Sequence, residues 1–228
     1  DAIQGRFMTV DLITFCCPKD IHRLHAPGAL EHLVSSHDAT FNNVIVVHQR
    51  CRGIEYRPFD YSCRIVESED YPDILTKFGI PEDDPKADHY THGPTAPHYW
   101  KYHVINHLIG LHVSTADYVV FNDCDCDIVR TVPLRCWVEE GIDILERYNE
   151  VLVVSPSDGG QMAERRIPEA RLTQNNSQQL FLCNRGRLAH IDFAIPWDWE
   201  FTAPAGPFQE YYYLVEGRIW RYMHHNNL

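Results

Sequence analysis

Apolar residues in this chain fall into short continuous runs separated by stretches of helical spacing. Met8 to Phe15 reads as a first strand, followed by a Cys16-Cys17-Pro18-Lys19-Asp20 loop. Ile21, Leu24, Leu30, Leu33 and Val34 keep a helical spacing that Pro27-Gly28 interrupts. Asn43 to Val47 predicts a second buried strand ending in His48-Gln49-Arg50, Ser62 to Val66 a third, and Tyr71 to Phe78 a short helix. Residues 81–97 are dense in Pro, Asp, His and Gly and read as a loop or lid. Tyr102, Ile105, Leu108, Ile109 and Leu111 match an amphipathic helix between His98 and His112. Further on, Trp137 to Tyr148 predicts a helix, while Val151 to Ser155 and Gln178 to Cys183 predict strands. Phe208 to Glu216 is helix-like and Arg218 to His225 strand-like. Strands alternating with helices over the first two-thirds imply an α/β protein, its mostly parallel central sheet covered on both faces.

The most informative segment runs from Tyr118 to Ile128, where an apolar run ends in three alternating carboxylates, Asp123, Asp125 and Asp127. Val119, Val120 and Phe121 have the character of a strand buried on both faces. If the backbone stays extended, the three carboxylates share one face while Cys124 and Cys126 take the other. Carboxylates so placed repel one another, and a divalent cation with oxygen ligands relieves that cost. Open α/β sheets hold their ligands at such strand ends. A solvated acidic turn is the plain alternative.

With 228 residues the chain can bury a substantial core, and no run of 18 apolar residues predicts a membrane span. A net charge of −12 argues against nucleic-acid and anionic-membrane partners. The eight cysteines lack the paired Cys-x-x-Cys spacing of zinc ribbons and several sit in apparent strands. They read as structural thiols of a reducing, cytoplasmic compartment. The start, Asp1-Ala-Ile-Gln-Gly-Arg, has neither a signal-peptide shape nor an initiator Met, which fits a processed or excised piece.

The strand–loop start, the α/β alternation and Ala116-Asp-Tyr-Val-Val-Phe-Asn-Asp-Cys-Asp125 together resemble the GT-A-fold glycosyltransferases. In that superfamily a helix precedes a Tyr-led buried strand closed by Asp-x-Asp, which holds the metal and diphosphate of a nucleotide sugar. The resemblance implies one GT-A-like, Rossmann-like domain over 1–228. Residues 1–130 then form the nucleotide-sugar half and 131–228 the acceptor side. It also implies Mn²⁺ or Mg²⁺ held by Asp123 and Asp125, with Asp127 extending the motif and a C-terminal histidine, His225, completing the site. Phe15, Cys16 and Lys19 would join Asp123 around a UDP- or GDP-sugar donor. Glu210, after Gly206-Pro207, matches the position of the family's general base, with Asp198 and Glu200 between Trp197, Trp199 and Phe201 in reserve. An inverting transfer to a carbohydrate or other hydroxyl acceptor follows, since an inverting enzyme needs such a base. The chain departs from the family after the second strand, where His48-Gln49-Arg50 replaces a nucleoside-binding acid.

His103 and His107 share a helix face at a spacing that can hold zinc, but no Glu stands between them, and a packing or surface role is expected. Two other function classes remain compatible with the sequence. A metal-dependent nucleotidyltransferase or phosphohydrolase also gathers carboxylates at a strand end, yet Phe15-Cys-Cys-Pro-Lys19 lacks the glycine-rich loop of the former. A non-catalytic carbohydrate-binding module suits the aromatic content but not the α/β alternation.

Overall fold

The computed structural model describes residues 8–80, 99–126, 128, 136–156, 165–166, 171–172, 179–193, 218–219, 222–223 and 225–226. Its strands are β1 (Val10–Cys16), β2 (Asn43–His48), β3 (Arg64–Glu67), β4 (Tyr118–Asp123), β5 (Val153–Val154), β6 (Arg165–Arg166), β7 (Arg171–Leu172) and β8 (Leu180–Asn184). Six of them form one sheet in the order β3-β2-β1-β4-β8-β5, and β6 pairs with β7 in a separate ribbon. β1 runs parallel to β2 and β4, and β2 parallel to β3, while β8 runs antiparallel to both β4 and β5. The sheet is therefore mostly parallel, and its β3-β2-β1-β4 part has the strand order of a doubly wound α/β sheet.

Helices cover both faces, as two-sided burial of the strands requires. They are α1 (Ile21–Leu24), α2 (Ala29–Ser36), α3 (Ile74–Lys77), α4 (Tyr99–Val113), α5 (Trp137–Arg147) and α6 (Arg185–Ala189). The period of two along β1 sorts the core into two layers. Ile13 and Phe15 join Val119, Phe121, Leu108, Ile109 and Leu188 on the α3, α4 and α6 side. Leu12 and Cys16 join Val120, Leu24, Leu33, Ile142 and Leu145 on the side of α1, α2 and α5. Gly28, at φ 73°, supplies the left-handed residue that separates α1 from α2, where the sequence places its break.

Polar bonds fix the amino end of β1. The fully buried Asp11 accepts from Asn43 Nδ2 at 2.9 Å and from Ser114 Oγ at 2.7 Å. Thr9 donates its amide and hydroxyl to Asp117 Oδ2 at 3.1 and 3.0 Å, and the Val10 amide donates to Asn42 Oδ1 at 2.7 Å. Each bond ties β1 to the residues that open β2 or precede β4.

Three sequence expectations need correction. α4 is not amphipathic over its described side chains: from Val104 to Val113 only His112 is exposed, because the helix lies between the sheet on one side and α3 and α6 on the other. The chain past β4 does not stay extended, since Cys124 and Asp125 form a turn closed by the Cys126 amide on the Asp123 carbonyl at 3.0 Å. The C-terminal segment is helical rather than strand-like at 218–219, 222–223 and 225. Ile219 and Met223, one helical turn apart, are both buried in the α4-side layer, and the Asn226 amide donates to the Tyr222 carbonyl at 3.1 Å.

Gly110 lies where α4 crosses the sheet, and a Cβ there would stand 2.8 Å from both Ile13 Cδ1 and Phe121 Cε1. Alanine gains about 1 kcal/mol of helix propensity but overpacks a site bounded by a ring and a strand side chain, at a cost of about 1–3 kcal/mol. Gly110→Ala is expected to lower stability in urea unfolding; a raised midpoint would show that the helix can move off the sheet at little cost.

Candidate functional site

Parallel register sets the carboxyl ends of four strands side by side. Cys16 on β1 pairs with His48 on β2, His48 with Glu67 on β3, and Phe15 with Asp123 on β4. β1 sits at the switch point, because the chain moves from it toward β2 on one side and reaches β4 on the other. A ligand crevice is expected there, between the loops leaving β1 and β4.

The loop after β1 turns tightly, with the Asp20 amide donating to the Cys17 carbonyl at 2.9 Å and Pro18 at the second turn position. Asp20 does not cap α1 with its side chain; its Oδ2 accepts from the Cys17 thiol at 2.7 Å. Lys19 is exposed at the tip of this turn. Across the switch point, Asp123 is half-buried at the end of β4 and Asp125 is exposed in the following turn. Cys124, between them, shows that the two loops meet. Burial, then the charges of Asp20, Asp125 and Asp123, push its thiol up to about 12. Asp20 thus adds a third carboxylate to the pair foreseen from the motif, and its only sequence signal is its place four residues beyond a strand end.

The turn also alters the geometry expected of the motif. Alternation along a strand no longer sets the directions of Asp123 and Asp125; they occupy the first and third positions of a β-turn. Asp127, Asp198, Glu200 and Glu210 lie outside the described residues. His225 is described and exposed. Phe15 and Cys16, expected beside the nucleotide, are both buried. The Phe15 ring packs 4.5 Å from His107 and 6.0 Å from Phe121, centroid to centroid. His107 is itself fully buried in that aromatic cluster, its ring stacked parallel to Phe181 at 5.8 Å, so of the packing or surface role expected of it, packing is the one it has.

A second group of residues lies at the ends of β1 and β2. Cys16, His25 and His48 bring one thiol and two imidazoles within 4.8 Å of one another, all buried, and this cluster can hold a metal ion. Sequence reading missed it, because the three residues stand far apart in the chain and form no short motif. His25 comes from the carboxyl end of α1, and the Cys51 thiol points back to the Cys16 carbonyl at 3.4 Å.

One open cavity of about 450 Å³ lies elsewhere, at the amino ends of the parallel strands, lined among others by Lys77, His112, Arg185 and His190. It is remote from both groups of strand-end residues. No helix among the described residues is long and apolar enough to cross a membrane.

Two solved structures share part of this chain path. Glucosyl-3-phosphoglycerate synthase from Mycobacterium tuberculosis, in complex with Mn²⁺, uridine diphosphate and phosphoglyceric acid, is 14% identical with a TM-score of 0.40. The match covers 80% of this chain and 57% of that one. Galactosyltransferase LgtC, in complex with donor and acceptor sugar analogs, is 14% identical with a TM-score of 0.33, covering 78% of this chain and 59% of that one. The present chain therefore spans less than two-thirds of the length of either protein. No family model matches the sequence, and no curated protein is significantly similar to it.

Proposed function

We propose that the protein is a metal-dependent glycosyltransferase that moves a sugar from a UDP- or GDP-sugar to an acceptor hydroxyl with inversion. The observation that carries this reading is the acidic turn Asp123-Cys124-Asp125 at the switch point of a mostly parallel sheet, facing the Cys17–Asp20 loop. Carboxylates at the end of β4 and in the turn that follows supply oxygen donors, which suit a hard divalent cation such as Mn²⁺ or Mg²⁺. Asp123 and Asp125 would hold it, with Asp127 and His225 as the further ligands. Bound there, such an ion supplies Lewis-acid stabilisation of the charge that develops on a diphosphate leaving group.

The chain's own groups have distinct tasks in this reading. Lys19, exposed at the tip of the β1 loop, reaches toward the donor phosphates across the switch point. Phe15 and Cys16, buried beneath it, hold the strand end from which that loop departs. Glu210 takes the proton from the acceptor hydroxyl, and Asp198 is the alternative base. Residues 131–228 provide the acceptor side.

If this reading is right, Mn²⁺ with a nucleoside diphosphate raises stability by mass action, by about 2.7 kcal/mol at a ligand concentration of 100 times Kd. The nucleotide alone raises it weakly. Thermal unfolding with and without metal checks this, and equal shifts in the two conditions would overturn it.

Asp125→Asn is expected to abolish the metal-dependent shift, Asp123→Asn nearly so, and Asp127→Asn less. Because Asp125 is exposed, its substitution should change stability without ligand by no more than about 0.5 kcal/mol. Loss of the shift only in the Asp127 variant would move the metal site two residues along the motif.

Glu210→Gln keeps the size of the side chain and removes its basicity. Single-turnover transfer at saturating donor should fall by about 10²–10⁴-fold, with donor and metal binding intact. Near-normal transfer would reassign the base to Asp198 or Glu200.

A further inference from the structure

Residues 49–63 connect β2 to its parallel neighbour β3 without a helix or a strand. A parallel crossover is ordinarily carried by a helix whose apolar side packs on the sheet. An irregular stretch of this length inside a compact domain is uncommon and is usually functional. What fastens it to the sheet here is a polar cluster under two rings. Phe59 stacks on His25 with centroids 3.8 Å apart, and Tyr56 lies 4.3 Å from His25 and 5.0 Å from His48.

The two imidazoles meet nitrogen to nitrogen, His25 Nε2 and His48 Nε2 being 3.1 Å apart. Their other nitrogens face acceptors. His25 Nδ1 is 2.7 Å from the Arg57 carbonyl oxygen, which can only accept, so Nδ1 carries the proton. Glu67 Oε1 stands 3.4 Å from His48 Nδ1 without hydrogen-bonding to it, near enough for its charge to act on that ring. His25 Nε2 therefore offers its lone pair to His48 Nε2, and the contact leaves His48 Nδ1 without a hydrogen-bond partner in a buried site. A shared proton is a poor remedy, because it places a charge on two buried rings with no hydrogen-bonded counter-ion. A metal cation is a good one. Tetrahedral zinc with metal–nitrogen bonds of about 2.0–2.1 Å separates its nitrogen ligands by about 3.3 Å, close to the observed spacing.

Sulfur completes the set. Cys16 pairs directly with His48 across β1 and β2, so both side chains leave the same face of the sheet. Cys51 is fully buried, and its thiol donates to the Cys16 carbonyl at 3.4 Å. The turn that returns Cys51 to this place forces Arg50 into the left-handed region, at φ 56°, a conformation that costs a non-glycine residue about 1–3 kcal/mol. Strain is thus spent on holding a second sulfur beside Cys16, next to the trio whose ligand atoms lie within 4.8 Å of one another.

We propose that Cys16, His25, His48 and Cys51 form a closed structural zinc site that fastens α1 and the 49–63 crossover to the carboxyl edge of the sheet. Imidazole and thiolate donors suit Zn²⁺ and ill suit Mg²⁺ or Mn²⁺, so this centre is chemically distinct from the acidic turn. On binding, both thiols release their protons to solvent, and two thiolates with one Zn²⁺ leave the buried centre without net charge. Glu67 and the Arg57 carbonyl orient the two rings from outside.

The test is metal analysis of the full chain, prepared under reducing conditions and equilibrated with micromolar zinc. One zinc per chain is expected in the natural protein and in Asp125→Asn, and none in Cys16→Ser. Glu67→Gln keeps all four ligands and should weaken zinc about 10- to 100-fold in chelator competition. Should Cys16→Ser fail to fold, cobalt replacement in the natural sequence decides: the proposal requires thiolate-to-cobalt charge-transfer absorption, roughly halved in Cys51→Ser. A folded, reduced chain that takes up neither zinc nor cobalt overturns the proposal. So does full zinc retention by Cys16→Ser, or a Cys16–Cys51 disulfide in the reduced preparation.

Discussion

The register of β1 between β2 and β4 is the constraint on which the rest depends. Side chains alternate across a strand, so a slip of one residue would exchange the two core layers and turn Cys16 to the wrong face. Apolar contacts alone tolerate such slips poorly, but a buried charge forbids them. Asp11 has no exposure, and its carboxylate is satisfied only where Asn43 and Ser114 stand opposite it. Removing either partner would leave a desolvated acceptor costing about 1–3 kcal/mol, or more for a charge. The bonds at the amino edge therefore determine which atoms meet at the carboxyl edge, a full strand length away.

That edge is used twice. On the α4 side the strands close with aromatic packing around Phe15, His107 and Phe121, which stiffens the base of the acidic turn. On the α1 side they close with sulfur and nitrogen. The two chemistries stand on neighbouring strand ends: carboxylates follow β4, and soft donors close β1 and β2. Such segregation keeps a hard cation and a borderline one from competing for the same ligands.

Much of this was legible in the sequence. β1, β2, β4 and β8 are apolar runs without polar alternation, and the two-sided burial they imply leads directly to a parallel sheet with helices on both faces. α5 could be read from Val138, Ile142 and Leu145, which keep a single face buried. The turn at Cys124-Asp125 could not, because continuing a strand and turning after it differ by only a few hydrogen bonds and the residue types permit both. The helical C-terminus was misread for a related reason: Ile219, Trp220, Tyr222 and Met223 favour strands when taken singly, and only packing of Ile219 with Met223 chooses the helix. The Cys/His cluster escaped because its members are distant in sequence. One signal was nevertheless present. Cys16 and His48 each end a buried apolar run, and parallel neighbours bring such ends together.

The place of β8 has a consequence for how the chain assembles. This strand lies between β4 and β5 although it follows both in sequence, and β5 pairs with it alone in the sheet. As the polypeptide emerges from a ribosome, β1 to β4 can pair as soon as they appear, yet β4 keeps one apolar edge open until residue 180 arrives. Closing so long a loop is entropically slow, and non-local pairing of this kind delays folding. An open edge on a strand as apolar as Tyr118–Phe121 invites pairing with a neighbouring nascent chain in the interval. The antiparallel strand is thus the bolt of the sheet, and the time before it slides home is when the protein is most exposed to aggregation.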